Sequence, residues 1–388
     1  MNEMKVTDTI KYIGVNDKTL DLFESQYVIP NGISYNSYVI LDEKVTVMDT
    51  VDARATDEWI DNLEHALDGR NVDYLVVSHM EPDHAGNILN LMNRYPEMKV
   101  VGNAKTFNMF PQFFEFECDI EDRKVVVKEG ETLNTGSHTL QFFMAPMVHW
   151  PEVMVTYDQS EKILFSADGF GKFGTLDSEE SWLCEARRYY FNIVGKYGMQ
   201  VQALLKKAAK LDIEMICPLH GPILKEDLAY YINKYDVWSS YEPEDEGIFI
   251  AYASIHGNTE KAARKMAEIL EKKGAKKVVI TDLSREDIAE AVEDAFRYDK
   301  LLVAGATYDG GLFPCMESFL LHLKSKNYQK RKVAIMENGS WAPMAGKQMK
   351  AILEQMKNMT FCDTMVTIKS SMKKDTIEQM EQLAEELL

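Results

Sequence analysis

Short apolar runs, each broken by a polar turn, fill the first two-thirds of the chain, and a regular alternation of strand and helix patterns fills the rest. Tyr38-Val-Ile-Leu41, a turn over 42–44 and Val45-Thr-Val-Met48 predict a hairpin, closed by Asp49-Thr50-Val51. Trp59, Leu63 and Leu67 fall on one face at helical spacing and predict a helix over 57–67. Tyr74-Leu-Val-Val77 reads as a buried strand, 85–93 as a helix, 99–102 as a strand and 107–116 as a helix. A second strand-rich block spans 123–166, with helices expected over 181–197 and 201–211 before a strand at 215–219.

The pattern changes after Ser239-Ser-Tyr-Glu-Pro243-Glu-Asp-Glu-Gly247, an acidic stretch with Pro and Gly that reads as a boundary. Two domains are therefore expected, 1–247 and 248–388. In the second, strands at 248–253, 277–281, 301–305, 333–337 and 365–368 alternate with helices at 260–273, 286–296, 316–323, 344–357 and 376–387. Five strands and five helices in alternation predict a doubly wound parallel sheet, with ligands at the carboxyl ends of its strands.

Candidate chemistry sits at the expected strand ends. The stretch His79-Met-Glu81-Pro-Asp83-His84 puts four metal-capable side chains within six residues, in a loop leaving the strand at Tyr74. Later runs deliver His149, Asp168 and His220 in the same way. Imidazole with carboxylate suits hard-to-borderline divalent metals. One strand-end histidine is more often structural, but four ordered deliveries plus the six-residue motif reverse that weighting. His65 and His322 fall on helices and read as surface or core residues, and His138 in a turn has no assigned part. In the second domain, Ser254-Ile255-His256-Gly257-Asn258-Thr259 joins the first strand to its helix. Hydroxyls, a glycine and free N–H groups at a helix start suit a phosphate. It is neither Gly-x-Gly-x-x-Gly nor a lysine-bearing nucleotide loop.

These residues resemble a known family. The first domain resembles the metallo-β-lactamase superfamily, an αββα sandwich with metals at one sheet edge, except that Glu81 replaces the second histidine of its usual motif. That substitution resembles the flavodiiron proteins, and a carboxylate there hardens the site and favours iron over zinc. The resemblance implies one iron held by His79, Glu81 and His149, a second by Asp83, His84 and His220, and Asp168 as a bridge. Tyr197 offers a phenol near them, an ordinary core or surface tyrosine being as good a reading. The phosphate loop resembles that of flavodoxins, which hold FMN. Thr307-Tyr308-Asp309-Gly310-Gly311-Leu312 and Asn338-Gly339-Ser340-Trp341 resemble the flavodoxin segments that contact the flavin ring, although Asp309-Gly310-Gly311 departs from the Asn-Asn-Gly of many relatives.

The resemblance implies an oxidoreductase. Electrons pass through FMN to a non-haem diiron site that reduces O2 to water and/or NO to N2O. A separate donor is expected, rubredoxin or reduced deazaflavin F420, and a head-to-tail homodimer or a tetramer of such pairs. The alternative is a zinc hydrolase with a flavodoxin-like appendage. The remaining composition agrees. The net charge of -19 argues against nucleic acid. No apolar run reaches the ~18 residues of a membrane span, and the N-terminus lacks a signal pattern, so a cytoplasmic protein is expected. Five scattered cysteines, Cys118, Cys184, Cys217, Cys315 and Cys362, give no Cys-x-x-Cys metal site.

Overall fold

The structure, a computed structural model, describes residues 5–116 and 119–388, and Cys118 lies outside the described residues. The chain falls into two compact units, Met1–Tyr190 with Met199–Tyr235, and Phe191–Gly198 with Asp236–Leu388.

In the first unit the hairpin forms, Tyr38–Ile40 pairing antiparallel with Thr46–Met48. It lies in a six-stranded sheet ordered Ile10–Tyr12, Tyr38–Ile40, Thr46–Met48, Tyr74–Val76, Lys99–Gly102, Lys124–Val126, whose last four strands are parallel. A five-stranded sheet follows, Thr132–Asn134, Thr139–Met144, Met154–Asp158, Ile163–Phe165, Met215–Cys217, parallel only at its last pair. Ile40, Met48, Val76 and Val101 of the first sheet share one core with Leu140, Phe142, Met154 and Ile163 of the second. Side chains alternate across a strand, yet Val39, Val47, Leu75 and Val100, on the opposite face, are buried too. A sheet buried on both faces carries a helical layer outside, which gives the expected αββα sandwich.

Helix limits depart from the apolar pattern where capping decides them. The first runs Thr56–Leu67 with Trp59, Leu63 and Leu67 buried. The helix expected over 85–93 is two pieces, Pro82–Ala85 and Ile88–Arg94. That expected over 107–116 is Ala104–Phe113, begun by Asn103, whose side chain accepts from the N–H groups of Lys105 and Thr106. The segment at 181–197 is an α-helix only over Trp182–Tyr189, then winds more loosely over Tyr190–Val194 and tightens over Gly195–Tyr197.

In the second unit the sheet order is Val278–Asp282, Asp245–Tyr252, Tyr298–Tyr308, Lys332–Asn338, Thr360–Ile368, all parallel. A two-residue strand, Gly311–Leu312, folds back antiparallel on Thr307 and Tyr308. The order reverses between the first and third strands, the place where such sheets open a crevice. Ile250, Leu302, Ala304 and Met336 pack with Ala262, Met266, Leu270 and Leu383 of flanking helices. The first strand starts at Asp245, before the expected border, because Asp245 pairs with Tyr298 and Arg297 holds its carboxylate at 2.6 Å. Phe191, stacked on Phe296 at 4.2 Å, belongs with this unit as well.

Candidate metal centre and ligand cavity

His79, Asp168 and His220 each stand three residues beyond a strand end, at Val76, Phe165 and Cys217. His149 lies farther out, in the connection between Met144 and Met154, so strand ends deliver three of the four and a loop the other. The six-residue motif is also more ordered than a loop. Glu81 is extended, and Pro82 opens the helix Pro82–Ala85. Proline has its φ preset and lacks the N–H that the first helical position leaves unused. This turn divides the motif. His79 and Glu81 converge with His149 and Asp168, whereas Asp83 and His84 converge with His220.

Asp168 faces both groups. Its Oδ2 is 3.4 Å from His79 Nε2 and 3.2 Å from His149 Nε2, while its Oδ1 is 3.3 Å from His84 Nε2 and 3.9 Å from His220 Nε2. Glu81 Oε2 lies 3.2 and 3.0 Å from the same atoms of His79 and His149. Asp83 Oδ2 lies 3.3 Å from Nε2 of both His84 and His220. Six of the seven residues are buried and Glu81 is half-buried. Both carboxylate oxygens of Asp83 and of Asp168 are buried without a hydrogen-bond partner. Orphaned buried carboxylates are costly, and convergent imidazole and carboxylate donors with vacant lone pairs fit a pair of cations.

Groups behind the donors fix their orientation. Glu152 Oε1 takes hydrogen bonds from His79 Nδ1 and from the Met80 N–H, each 2.8 Å. His220 Nδ1 donates to the Ser34 carbonyl at 2.7 Å. In both rings the far nitrogen carries the proton and Nε2 is left to ligate. His84 lacks such a prop, its Nδ1 being buried with no partner. Asp49 receives the Ser78 N–H at 2.6 Å and so holds the entry to the motif, and burial pushes its carboxyl up to about 6. Trp150 stands edge-on to His79 with ring centres 5.2 Å apart. Phe23, Tyr35 and Tyr189 surround His220.

The electrostatics are those of a cation site. Burial alone would lower the pKa of His79, but Glu152, Glu81 and Asp168 outweigh it and raise it well above the histidine range. Burial likewise opposes protonation of His149, yet Asp168 and Glu81 bring it up to about 9. Burial also acts against ionisation of Glu81 and Asp168, and the surrounding imidazoles reverse this and hold both below the carboxylate range. A phenol beside this set is that of Tyr189, 5.5 Å from His220 between ring centres; Tyr197 lies in the tight turn Gly195–Tyr197. Burial, reinforced by Asp168, Asp83 and Glu81, raises Tyr189 far above the tyrosine range and keeps its O–H protonated. No spacing rule pointed to Glu152, Ser34 or Tyr189, since each acts through a contact distant in sequence.

The second unit opens a cavity of about 480 Å³ at the carboxyl ends of its strands. Ile255, His256, Asn258 and Thr259 line it from the first loop. Ser254 and Gly257 do not line it but shape that loop, the Ser254 hydroxyl accepting the Gly257 N–H at 3.0 Å, with Gly257 at φ +83°. Thr307, Tyr308, Asp309 and Gly310 line it from the third loop, while Gly311 and Leu312 pair back onto the strand, outside the lining. Asn338, Gly339, Ser340 and Trp341 line it from the fourth. Thr307 Oγ1 receives the N–H groups of Met344 and Ala345 at 2.9 and 3.1 Å and so binds the third loop to the fourth. Sequence reasoning missed the fifth loop. Ser370 lines the cavity and exchanges two hydrogen bonds with Asn338, 2.9 and 3.1 Å long. The polar run after the fifth strand was its only signal.

Comparison with known proteins matches both halves of the chain. Residues 33–221 match a family model described as ODP family beta lactamase, and residues 249–384 match a flavodoxin domain. An uncharacterised protein of Methanocaldococcus jannaschii is 31% identical over 97% of this chain and 95% of its own length. The anaerobic nitric oxide reductase flavorubredoxin of Vibrio vulnificus is 28% identical over 87% of this chain and 70% of its own. Among solved structures, the rubredoxin oxygen:oxidoreductase of Desulfovibrio gigas superposes with a TM-score of 0.91 at 26% identity, covering 99% of this chain and 97% of that one. A flavo-diiron protein variant from Thermotoga maritima gives 0.88 at 25% identity, covering 97% and 95%.

Proposed function

The chain belongs to the flavodiiron proteins, and from that premise we propose that it passes electrons from a donor through FMN to a non-haem diiron site that reduces O2 to water, NO to N2O, or both. Residues 1–247 are the metal half and 248–388 the flavin half. The observation that carries the reading is Asp168, whose two oxygens face two separate histidine–carboxylate groups, in a chain that also has a flavodoxin-type cavity. A hydrolase needs no flavin, and the named relatives are oxidoreductases.

His79, Glu81 and His149 would hold one iron, Asp83, His84 and His220 the other, and Asp168 would serve both. Irons held there would supply redox electrons for reduction of the oxidant, and FMN held in the second unit would supply a carrier for electrons from the donor. The protein's own part is positional. Glu152 and Ser34 keep the His79 and His220 rings turned so that Nε2 faces the metals. Tyr189 offers a protonated O–H beside His220. In the other half, His256, Asn258 and Thr259, at the start of the helix Asn258–Lys272, would receive the flavin phosphate, and Tyr308 and Trp341, which line the same cavity, would contact the ring. Rubredoxin is the proposed donor, reduced deazaflavin F420 the second choice. The working unit is a head-to-tail pair in which each FMN serves the partner's irons, in the cytoplasm; among the described residues no helix is long and apolar enough to cross a membrane.

The test is metal and flavin analysis of the purified protein, followed by O2 and NO consumption with electrons supplied anaerobically. About two irons and one FMN per chain, the set of ligands proposed here, are expected. Zinc in place of iron, in protein expressed with iron in excess, would sink the reading.

A further inference from the structure

The loop that carries His220 has little support from its own sheet. It leaves Met215–Cys217, a three-residue strand at the end of the five-stranded sheet, which pairs with Ile163–Phe165 on one side. On the other side, among the described residues, it meets only Leu224, through the single bridge to Ile216 that closes the loop at its base. The hold on the rest of the loop comes from Asn36, which lies between the strands Ile33–Tyr35 and Tyr38–Ile40 and is fully buried. Asn36 Nδ2 donates to the carbonyls of Pro218 and Gly221, at 2.8 and 2.7 Å, and the Asn36 backbone N–H to that of Leu219 at 2.8 Å. Three carbonyls around His220 thus converge on one residue. The Tyr12 hydroxyl donates to Asn36 Oδ1 at 3.1 Å, which commits the amide oxygen and turns the two hydrogens of the nitrogen to the loop. Ser34, two residues back, receives the Gly221 N–H on its hydroxyl at 2.7 Å. The Leu219 N–H donates to the Ala167 carbonyl at 2.9 Å and ties the same loop to the residue before Asp168.

We propose that Asn36 is a positioning residue for one of the two metal positions: it is no ligand itself, but through the turn Pro218–Gly221 it sets where His220 presents Nε2. The proposal rests on the flavodiiron reading, in which His220 belongs with Asp83 and His84, while His79, Glu81 and His149 make up the other group. Two features make the first of these positions depend on Asn36. The His84 ring has no partner at Nδ1, so His220 is the imidazole of its group whose far nitrogen is held. The Ser34 carbonyl that receives His220 Nδ1 turns the ring correctly only while the backbone beneath the ring stays in place, and Asn36 fixes that backbone on both sides of His220. A ligand must be held within about 0.5 Å of its working geometry, which an end strand with one paired side does not secure. The hydrogen bonds of Asn36 reach neither the loop of His79 nor that of His149, so its effect falls on one position and spares the other.

Anaerobic reloading of the iron-stripped, flavin-loaded protein with Fe(II) against a competing chelator tests this, with Mössbauer spectra reporting whether the bound irons are single or paired. The wild-type protein is expected to take up about two irons per chain as a coupled pair. Asn36→Leu keeps the bulk and removes the side-chain donors. It is expected to leave one binding step as it was and to weaken the other about 10- to 100-fold, so that under chelator the variant keeps about one uncoupled iron per chain, with its FMN content unchanged. Tyr12→Phe leaves Asn36 in place and removes only the hydroxyl that orients the amide, and the same single step is expected to weaken about threefold. This milder variant decides the matter should Asn36→Leu fold poorly. Equal weakening of both steps, the mark of a general loosening, or two unchanged steps would overturn the proposal. A wild-type protein that takes up no pair of irons would instead refute the flavodiiron reading itself.

Discussion

Glu152 shows how much a single side chain controls. It is buried and receives both His79 Nδ1 and the Met80 N–H, so it fixes the ring and the backbone from which His79 and Glu81 project. Glu152→Gln keeps the shape but turns an anionic acceptor into an amide. Metal affinity measured by chelator competition is expected to fall about 10- to 100-fold, the usual cost of losing a partner behind a ligand. His138, to which the sequence assigned no part, is a structural tie. Its Nδ1 is 2.6 Å from Asp158 and its Nε2 2.9 Å from the Thr9 hydroxyl, which itself donates to Glu161. With Thr9 committed to Glu161, both ring nitrogens donate and the ring is an imidazolium. Burial lowers its pKa, but Asp158, Glu161 and Asp42 more than compensate and the net shift is upward. A raised histidine stabilises the fold fully below its ordinary value of 6.5 and loses that contribution as pH climbs through the raised one. His138→Gln should therefore lower the melting temperature by about 2–4 °C at pH 6, and the gap should narrow as pH rises. At this scale the seven candidate donors were legible, because metal-capable residues at strand ends form a pattern. Glu152, Ser34 and Tyr189 were not, because a supporting contact leaves no periodic trace.

Elements were legible where an apolar period runs unbroken and misplaced where a cap overrides it. The strands of the parallel sheet fall where the Val, Ile and Leu runs are. The aromatic run ending at Phe116 has the pattern of a helix body, although Asn103 starts that helix thirteen residues earlier and it stops at Phe113. Pro82 had the most consequential hidden role, since a helix start inside the motif is what gives its two halves to different groups. In the flavin half, Thr307 joins two loops by accepting two backbone N–H groups. Thr307→Val removes that acceptor and leaves both donors without a partner, at about 1–3 kcal/mol. FMN affinity, followed by quenching of flavin fluorescence, is expected to weaken about tenfold, with iron content unaffected.

For the whole molecule, the order of domains and the class of each sheet could be read from the change of pattern near Gly247. The compact units could not, because Phe191 joins the second unit through ring stacking on Phe296, a partner more than a hundred residues away. The proposed head-to-tail pair is tested at this scale by sedimentation under assay conditions: a monomeric fraction should retain iron and FMN yet turn over at least tenfold more slowly, since its flavin lacks a partner's irons. The proposed metal donors come from both layers of the sandwich. His79, Glu81, Asp83 and His84 follow a strand of the first sheet, and His149, Asp168 and His220 follow strands of the second. Ions held by these proposed donors would be a rivet through the two layers, and their binding energy would also be folding energy by mass action. Stripping them with a chelator should speed amide exchange along Tyr74–Val76 and Ile163–Phe165 together while Leu301–Val303 stay protected, so that a cell short of iron would hold a looser protein as well as an idle one.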